Sequence, residues 1–172
     1  ALAAPAANRI GKKSTYIIAM VLGAVLSMLF FRLKPDQVLP IMVFQVLIST
    51  CAGIIFPLLW SMYADIVDYQ ELKTGRRATG LILSSSSMSQ KFGWAVGGAI
   101  TGWLLAAFGY NADIAVQSES AIYGVRLMMS YLPGVSCILA VIAISLYPLG
   151  EKKMQEVTDQ LNQRRKAHDQ ME

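Results

Sequence analysis

From Gln37 to Ala64 the chain runs without a single Asp, Glu, Lys or Arg. As an α-helix rising 1.5 Å per residue, that run is about 42 Å long, more than the ~30 Å hydrocarbon core of a bilayer. No ordinary water-soluble domain accommodates such an element alone, and it has company. Residues 15–31, 78–108 and 126–148 form three further apolar blocks, each long enough to span. Composition agrees: 55% of residues are hydrophobic, 15% are charged and the mean hydropathy is +0.47, against about 25% charged in soluble domains. Disorder is excluded by the same figures. A coiled coil is excluded because the apolar residues come in solid blocks and not in heptads. The fold class read from this is an all-α membrane protein with four transmembrane helices, at 15–31, 38–67, 78–108 and 126–148. A cytoplasmic loop at 68–77, an extracytoplasmic loop at 109–125 and a cytoplasmic tail at 149–172 connect and follow them.

The loop cations orient these spans. Arg9, Lys12 and Lys13, then Lys73, Arg76 and Arg77, and finally Lys152, Lys153, Arg164, Arg165 and Lys166 fall on one side. Only Arg32, Lys34 and Arg126 fall on the other, and Lys91 lies inside a span. This bias predicts both termini and the middle loop in the cytoplasm. In so apolar a chain, the net charge of +4 points to anionic lipid before nucleic acid. The order of the first residues, apolar before basic, is wrong for a signal peptide. Residues 1–14 read as the end of a preceding helix and a cytoplasmic loop, so the expectation is a piece of a longer chain.

The second span carries Pro57, which removes a backbone N–H and kinks a helix. Gly53, Pro57 and Trp60 recur at spacings of four and three and so share a face. Trp60 is read either as an aromatic facing a polar pathway or as an interface anchor. The third span is the most informative. Ser84, Ser87, Lys91, Trp94 and Gly98 follow spacings of three and four and make one polar stripe. Lys91 sits roughly 20 Å along this helix, too deep for easy snorkelling. An ammonium facing lipid there costs at least about 2.5–3.5 kcal/mol. It is expected to face a bundle interior, a carboxylate or water. Gly93 with Gly97, and Gly98 with Gly102, allow close helix approach.

Where the second span leaves the membrane, Asp65, Asp68 and Glu71 fall three apart, followed by Lys73, Arg76 and Arg77. Carboxylates near a helix C-terminus oppose its dipole and repel one another unless cations meet them. Arg77 and neighbouring loop cations are the expected partners. The spacing alone leaves two readings, a breakable gate or a static solvated rim. Catalysis is a poor reading. No His or Cys lies near the acids, and neither a nucleophile elbow nor a phosphate-cradling loop occurs. Cys51 and Cys137 sit within apolar blocks and have no metal-ligand spacing. In the tail, Met154, Val157 and Leu161 give a narrow apolar edge, as in a helix lying on the cytoplasmic face.

The run from Ala64 to Gly80, ADIVDYQELKTGRRATG, resembles the loop signature of the glycoside–pentoside–hexuronide:cation symporters, the melibiose-permease-like branch of the major facilitator superfamily. The resemblance continues through Gln90-Lys91-Phe92-Gly93, Gly97-Gly98 and Phe108-Gly109-Tyr110 to Tyr147-Pro148-Leu149-Gly150-Glu151-Lys152-Lys153. It implies that the four spans correspond to the last four of a twelve-helix fold in a bacterial inner membrane, with the C-terminus cytoplasmic. By position it implies that Lys91, with Trp60 and Ser87, borders the sugar and cation pathway. It also implies that Asp65, Asp68, Glu71 and Arg77 help close the cytoplasmic side. The function implied is secondary active symport of a glycoside with a coupling cation, Na⁺ or H⁺. No other cofactor, no metal site and no nucleic-acid partner is expected. The partners expected are a small glycoside, membrane lipid and the missing N-terminal helices of the same transporter. A different class stays open beside it: a small four-helix interaction or regulatory subunit without transport of its own.

Overall fold

The structure is a computed structural model. It describes residues 7, 9–34 and 36–169, with the side chains of all of these except 165 and 167–169. Among the described residues five long helices follow in order: α1 (Lys12–Phe30), α2 (Val38–Thr74), α3 (Thr79–Ala107), α4 (Glu119–Ser145) and α5 (Glu151–Asp169). The expected tail of a preceding helix lies mostly outside the described residues, although Ala7, Arg9 and Ile10 are helical. Pro35, part of the turn expected before the second span, also lies outside them.

Helix ends are set by identifiable residues. Gly11 precedes α1 with φ +88°. α2 does not stop where the charges begin. Residues 68–74, read from sequence as loop, continue the helix, because no breaker occurs before Gly75. That glycine closes α2 at φ +70°, its N–H donating to Glu71 O, a left-handed cap that glycine adopts without Cβ strain. The turn to α3 is therefore short, which makes α2 and α3 sequential antiparallel neighbours. α4 begins at Glu119, seven residues before the expected 126, because the Ser118 hydroxyl accepts from Ala121 N–H at 3.1 Å and caps the helix. The preceding loop is tied by side chains. Gln117 Nε2 donates to Asn111 O and Ile114 O, and Asn111 Oδ1 accepts from Asp113 N–H at 2.9 Å. Pro57 and Pro133 each lie inside a continuous helix.

α1, α2 and α4 are long and apolar enough to cross a membrane by length and composition. α3 is 29 residues long but falls short of them in hydropathy, because its serines, Gln90, Lys91 and glycines dilute the apolar residues. The core lies between α1, α2 and α4. Thr15, Tyr16, Ala19, Gly23, Ala24, Ser27 and Phe30 of α1 are buried, a mostly small-residue stripe of the kind that lets helices approach closely in lipid. Gly134 of α4 lies against Met28 and Ala24 of α1, and Gly23 faces Cys51 of α2. At one end of the bundle Ala7, Tyr16, Leu58 and Met62 form a buried cluster, packed by Ile144 and Tyr147. At the other, Phe31 packs edge-on against Tyr131 and Tyr123, with centroids 5.0 and 5.8 Å apart. α5 lies across the end of α2, burying Val157 and Leu161, the edge expected from its sequence.

α3 stands apart. None of its residues is buried, and it touches α2 and α4 lightly. Just past its end, the Phe108 ring covers Gly124 of α4. A Cβ at Gly124 would meet Phe108 Cβ, Cγ and Cδ2 at 2.4–2.7 Å. Those atoms include the root of the side chain, which cannot swing clear by rotation alone. Gly124→Ala is therefore expected to destabilise the bundle by about 1–3 kcal/mol, and Gly124→Ala with Phe108→Ala to recover part of that loss. Thermal unfolding of both variants in detergent checks this.

Candidate transport site

The acids at the end of α2 divide into two separate groups. Asp65 is 14% exposed and accepts from Lys12 Nζ through both oxygens, at 2.8 and 2.9 Å. Lys12 opens α1, so this ion pair joins two helices. Arg77 instead pairs with Glu71 at 2.8 Å and Asp68 at 3.5 Å. These three belong to a single α2–α3 hairpin, and the guanidinium is 53% exposed. Water screens such a pair, and its worth is about 0–1 kcal/mol. Asp65 and Arg77, grouped together on sequence, are thus not partners. One pair fastens helices; the other closes locally and is cheap to break.

Around Lys12 and Asp65 lies a cavity of about 160 Å³, lined also by Lys13, Met62, Tyr147, Glu151 and Met154. The Tyr147 hydroxyl is buried without a hydrogen-bond partner. Glu151, the first residue of α5, lays its carboxylate over Gly11 at the start of α1, where the positive end of the helix dipole favours an anion. Gly11, at φ +88° and ψ +152°, occupies a region essentially reserved for glycine, so Gly11→Ala would cost about 1–3 kcal/mol and displace that carboxylate. A fall in melting temperature that Glu151→Ala fails to relieve identifies the backbone as the larger cost.

Lys91 is exposed on the open face of α3 and makes no ion pair among the described residues. Ser87, one turn before it, is half-buried. Gly80, Gly93, Gly97, Gly98 and Gly102 all face open space, and a Cβ added at any of them would meet nothing within 4 Å. Trp60 is 41% exposed and forms the middle of an aromatic ladder along α2, edge-on to Phe56 at 6.4 Å and to Tyr63 at 5.8 Å. Sequence reading singled out Trp60 alone. The ladder was available in the spacing of four and three from Phe56 through Trp60 to Tyr63. Among the described residues no cation–π contact joins Lys91 to Trp60.

The cations at the helix ends are the larger omission. Lys13 Nζ, at the start of α1, donates to Ser145 O and Tyr147 O at 3.0 and 2.7 Å, at the C-terminal end of α4. Arg126, near the start of α4, donates to Phe31 O and Leu33 O at 2.5 and 2.7 Å, at the C-terminal end of α1. Its guanidinium also lies 5.1 Å from the Phe31 ring centroid, within cation–π range. A third cation, Arg164 of α5, donates to Leu72 O at 3.0 Å in the last turn of α2. Lys and Arg at helix C-termini satisfy orphan carbonyls and complement the dipole. Sequence reading used these residues as topological charges and offered loop cations as partners for the α2 acids, not as caps for helix ends. Their partners lie 92 to 134 residues away, beyond any local signal.

Long apolar helices packed side by side, three of them able to cross a membrane by length and composition, are the build of a multi-pass membrane protein. The profile of the MFS/sugar transport protein family matches residues 1–151, and the chain belongs to that family. Its members are transporters, not enzymes. A glucuronide carrier protein homolog of Escherichia coli is 34% identical over 163 residues, covering 95% of this chain and 35% of its own. A putative glycoside/cation symporter of Escherichia coli is 30% identical over 160 residues, covering 93% and 35%. An isoprimeverose transporter of Lactiplantibacillus pentosus is 34% identical over 154 residues, covering 89% and 32%. The chain thus spans about a third of the length of these relatives. It is a multi-pass membrane protein by family and by its apolar helices.

Proposed function

We propose that this chain supplies the last four of twelve spans in a glycoside:cation symporter of the bacterial inner membrane, with α3 as the fourth span and the C-terminus cytoplasmic. The observation that carries the reading is Lys91. An ammonium twelve residues into α3, on a face with no carboxylate among the described residues, is tolerated in a membrane only beside water, a partner or a solute. The relatives' names favour a sugar-like solute, and the open faces of α2 and α3 leave room for the remaining helices of the same transporter. Alternating access at a midplane site needs both halves, so the solute binds between these helices and those.

Within this reading, Lys91 and Ser87 line the path, and Trp60, with Phe56 and Tyr63, offers an aromatic edge to a sugar ring. Asp68, Glu71 and Arg77 act as a cytoplasmic latch that opens at little cost. Asp65 has the more structural part through Lys12. A coupling cation, Na⁺ or H⁺, enters with the solute. The test is uptake of a panel of radiolabelled glycosides, glucuronides and xylosides by cells expressing the gene, with sodium and with a proton gradient alone. Accumulation against a gradient that requires one of the two cations supports symport. Uptake that merely equilibrates, indifferent to both, overturns it.

A further inference from the structure

Three consecutive residues at the start of α1 each reach a different helix. Gly11 lies under the Glu151 carboxylate of α5. Lys12 donates to both Asp65 oxygens of α2, and Lys13 donates to Ser145 O and Tyr147 O at the end of α4. The cavity of about 160 Å³ lies within this junction. Its charged walls do not fold inward to fill it. Each lysine is held by two hydrogen bonds, and moving either forfeits charge-assisted bonds. Tyr147 lines the same space, and its hydroxyl is buried without a hydrogen-bond partner among the described residues. Residues of this chain already cover that oxygen, so a further helix packed against the bundle does not reach it. A buried phenol O–H both donates and accepts, and leaving it unmatched is costly.

The charge balance of the lining decides what kind of ligand fits. Lys12, Lys13, Asp65 and Glu151 all border the cavity, and their formal charges cancel. Neither an anion nor a metal cation is drawn in by such a set. A small neutral molecule that both donates and accepts matches it. We propose that this junction is a binding site for ordered water, which joins the Tyr147 hydroxyl to the Asp65 and Glu151 carboxylates. Water takes about 30 Å³ per molecule in the liquid, so the cavity holds about five. Each buried water needs two to four polar partners, and the phenol, the carboxylates and the ammonium groups supply them. Water-mediated bridges are enthalpically close to direct hydrogen bonds. The end of α4 is thereby linked to α2 and α5 through solvent, beside the direct ties that α1 makes to all three. The proposal does not depend on which solute is carried.

Two measurements on the chain in detergent test it. X-ray radiolysis in ¹⁸O-labelled water turns bound water into hydroxyl radicals that oxidise the side chains beside it. Met62 lines the cavity and is 3% exposed, whereas Met128 is 9% exposed and lies outside it. The two thioethers oxidise by the same chemistry. Met62 is expected to take up the label about threefold faster than Met128, or more. Equal rates, or a slower Met62, mean a dry cavity and overturn the proposal. The second measurement is the melting temperature of Tyr147→Phe, which keeps the ring and removes the hydroxyl. Losing a hydroxyl that water satisfies should lower the melting temperature by about 2–4 °C. A melting temperature that rises or stays unchanged means that the hydroxyl had no partner to lose, and that also overturns the proposal. A fall in Tyr147→Phe without fast labelling of Met62 assigns the hydroxyl to a protein neighbour and overturns the water site. Neither measurement involves glycoside uptake, so failure of the transport reading is seen separately.

Discussion

Replacing Lys91 with alanine is expected to lower coupled glycoside uptake about tenfold or more while leaving the protein at least as easy to insert. The two effects have opposite signs, and that makes the result diagnostic. Removing an ammonium from the middle of a helix relieves an insertion cost of about 2.5–3.5 kcal/mol, so the variant should reach the membrane at undiminished yield. A lysine kept only as a tolerated defect would leave uptake intact when removed. A lysine that meets the solute or exchanges partners during the cycle would not. Uptake rates normalised to membrane-inserted protein, measured beside Lys91→Arg, decide between them. Arginine keeps the charge but not its compact shape, so an intermediate rate is expected. Unchanged transport in Lys91→Ala would remove Lys91 from the path.

The second large effect is at the other end of α2. Asp65→Asn is expected to lower stability by about 1–3 kcal/mol, with a weaker dependence on salt than Arg77→Gln shows. The reason is geometric. Asp65 takes Lys12 Nζ on both oxygens and is 14% exposed, while Lys12 is 39% exposed, so water screens this pair less than the open Arg77 one. Removing one partner leaves the other charge half-covered, which costs more than the intact pair is worth. The double variant Lys12→Met with Asp65→Leu should therefore recover most of the loss. Arg77→Gln, by contrast, breaks an exposed pair worth about 0–1 kcal/mol. Its small effect should shrink further in high salt. Thermal unfolding in detergent at low and high ionic strength measures all of these. A strong salt dependence for Asp65→Asn, or recovery absent from the double variant, would show that Lys12 is not its partner.

What the sequence made legible follows from the range of each signal. Helices of this length and apolarity are written locally, so the all-helical membrane fold could be read without a structure. Lys91 was visible for the same reason, since a charge stands out against hydrocarbon. Helix ends were less legible. Charge suggested that α2 stops near 67, yet backbone chemistry stops it at Gly75, where a left-handed residue is needed. Ser118 likewise starts α4 earlier than its first membrane charge implies. The polar stripe that made α3 the most informative segment also makes it the least hydropathic of the four apolar helices. Pairings were the hidden part. Nothing in the local sequence says that Asp65 belongs with Lys12 and not with Arg77, or that Lys13 and Arg126 reach carbonyls on the other helix of the same pair. Those partners meet only after the bundle forms.

The mutual capping of α1 and α4 also determines how these helices respond to voltage. Two antiparallel helices oppose their dipoles, and a fixed cation at each C-terminus offsets what remains. The pair is therefore electrically quiet, and a potential across the bilayer exerts little net force on it. α3 is different. It carries a lone ammonium midway along, and an elementary charge that crosses the whole field exchanges about 2.3 kcal/mol per 100 mV. Even a tenth of that path corresponds to about 0.2 kcal/mol. With α3 placed as the fourth span proposed above, polarisation of an energised cell would act on Lys91 and leave the capped pair almost untouched.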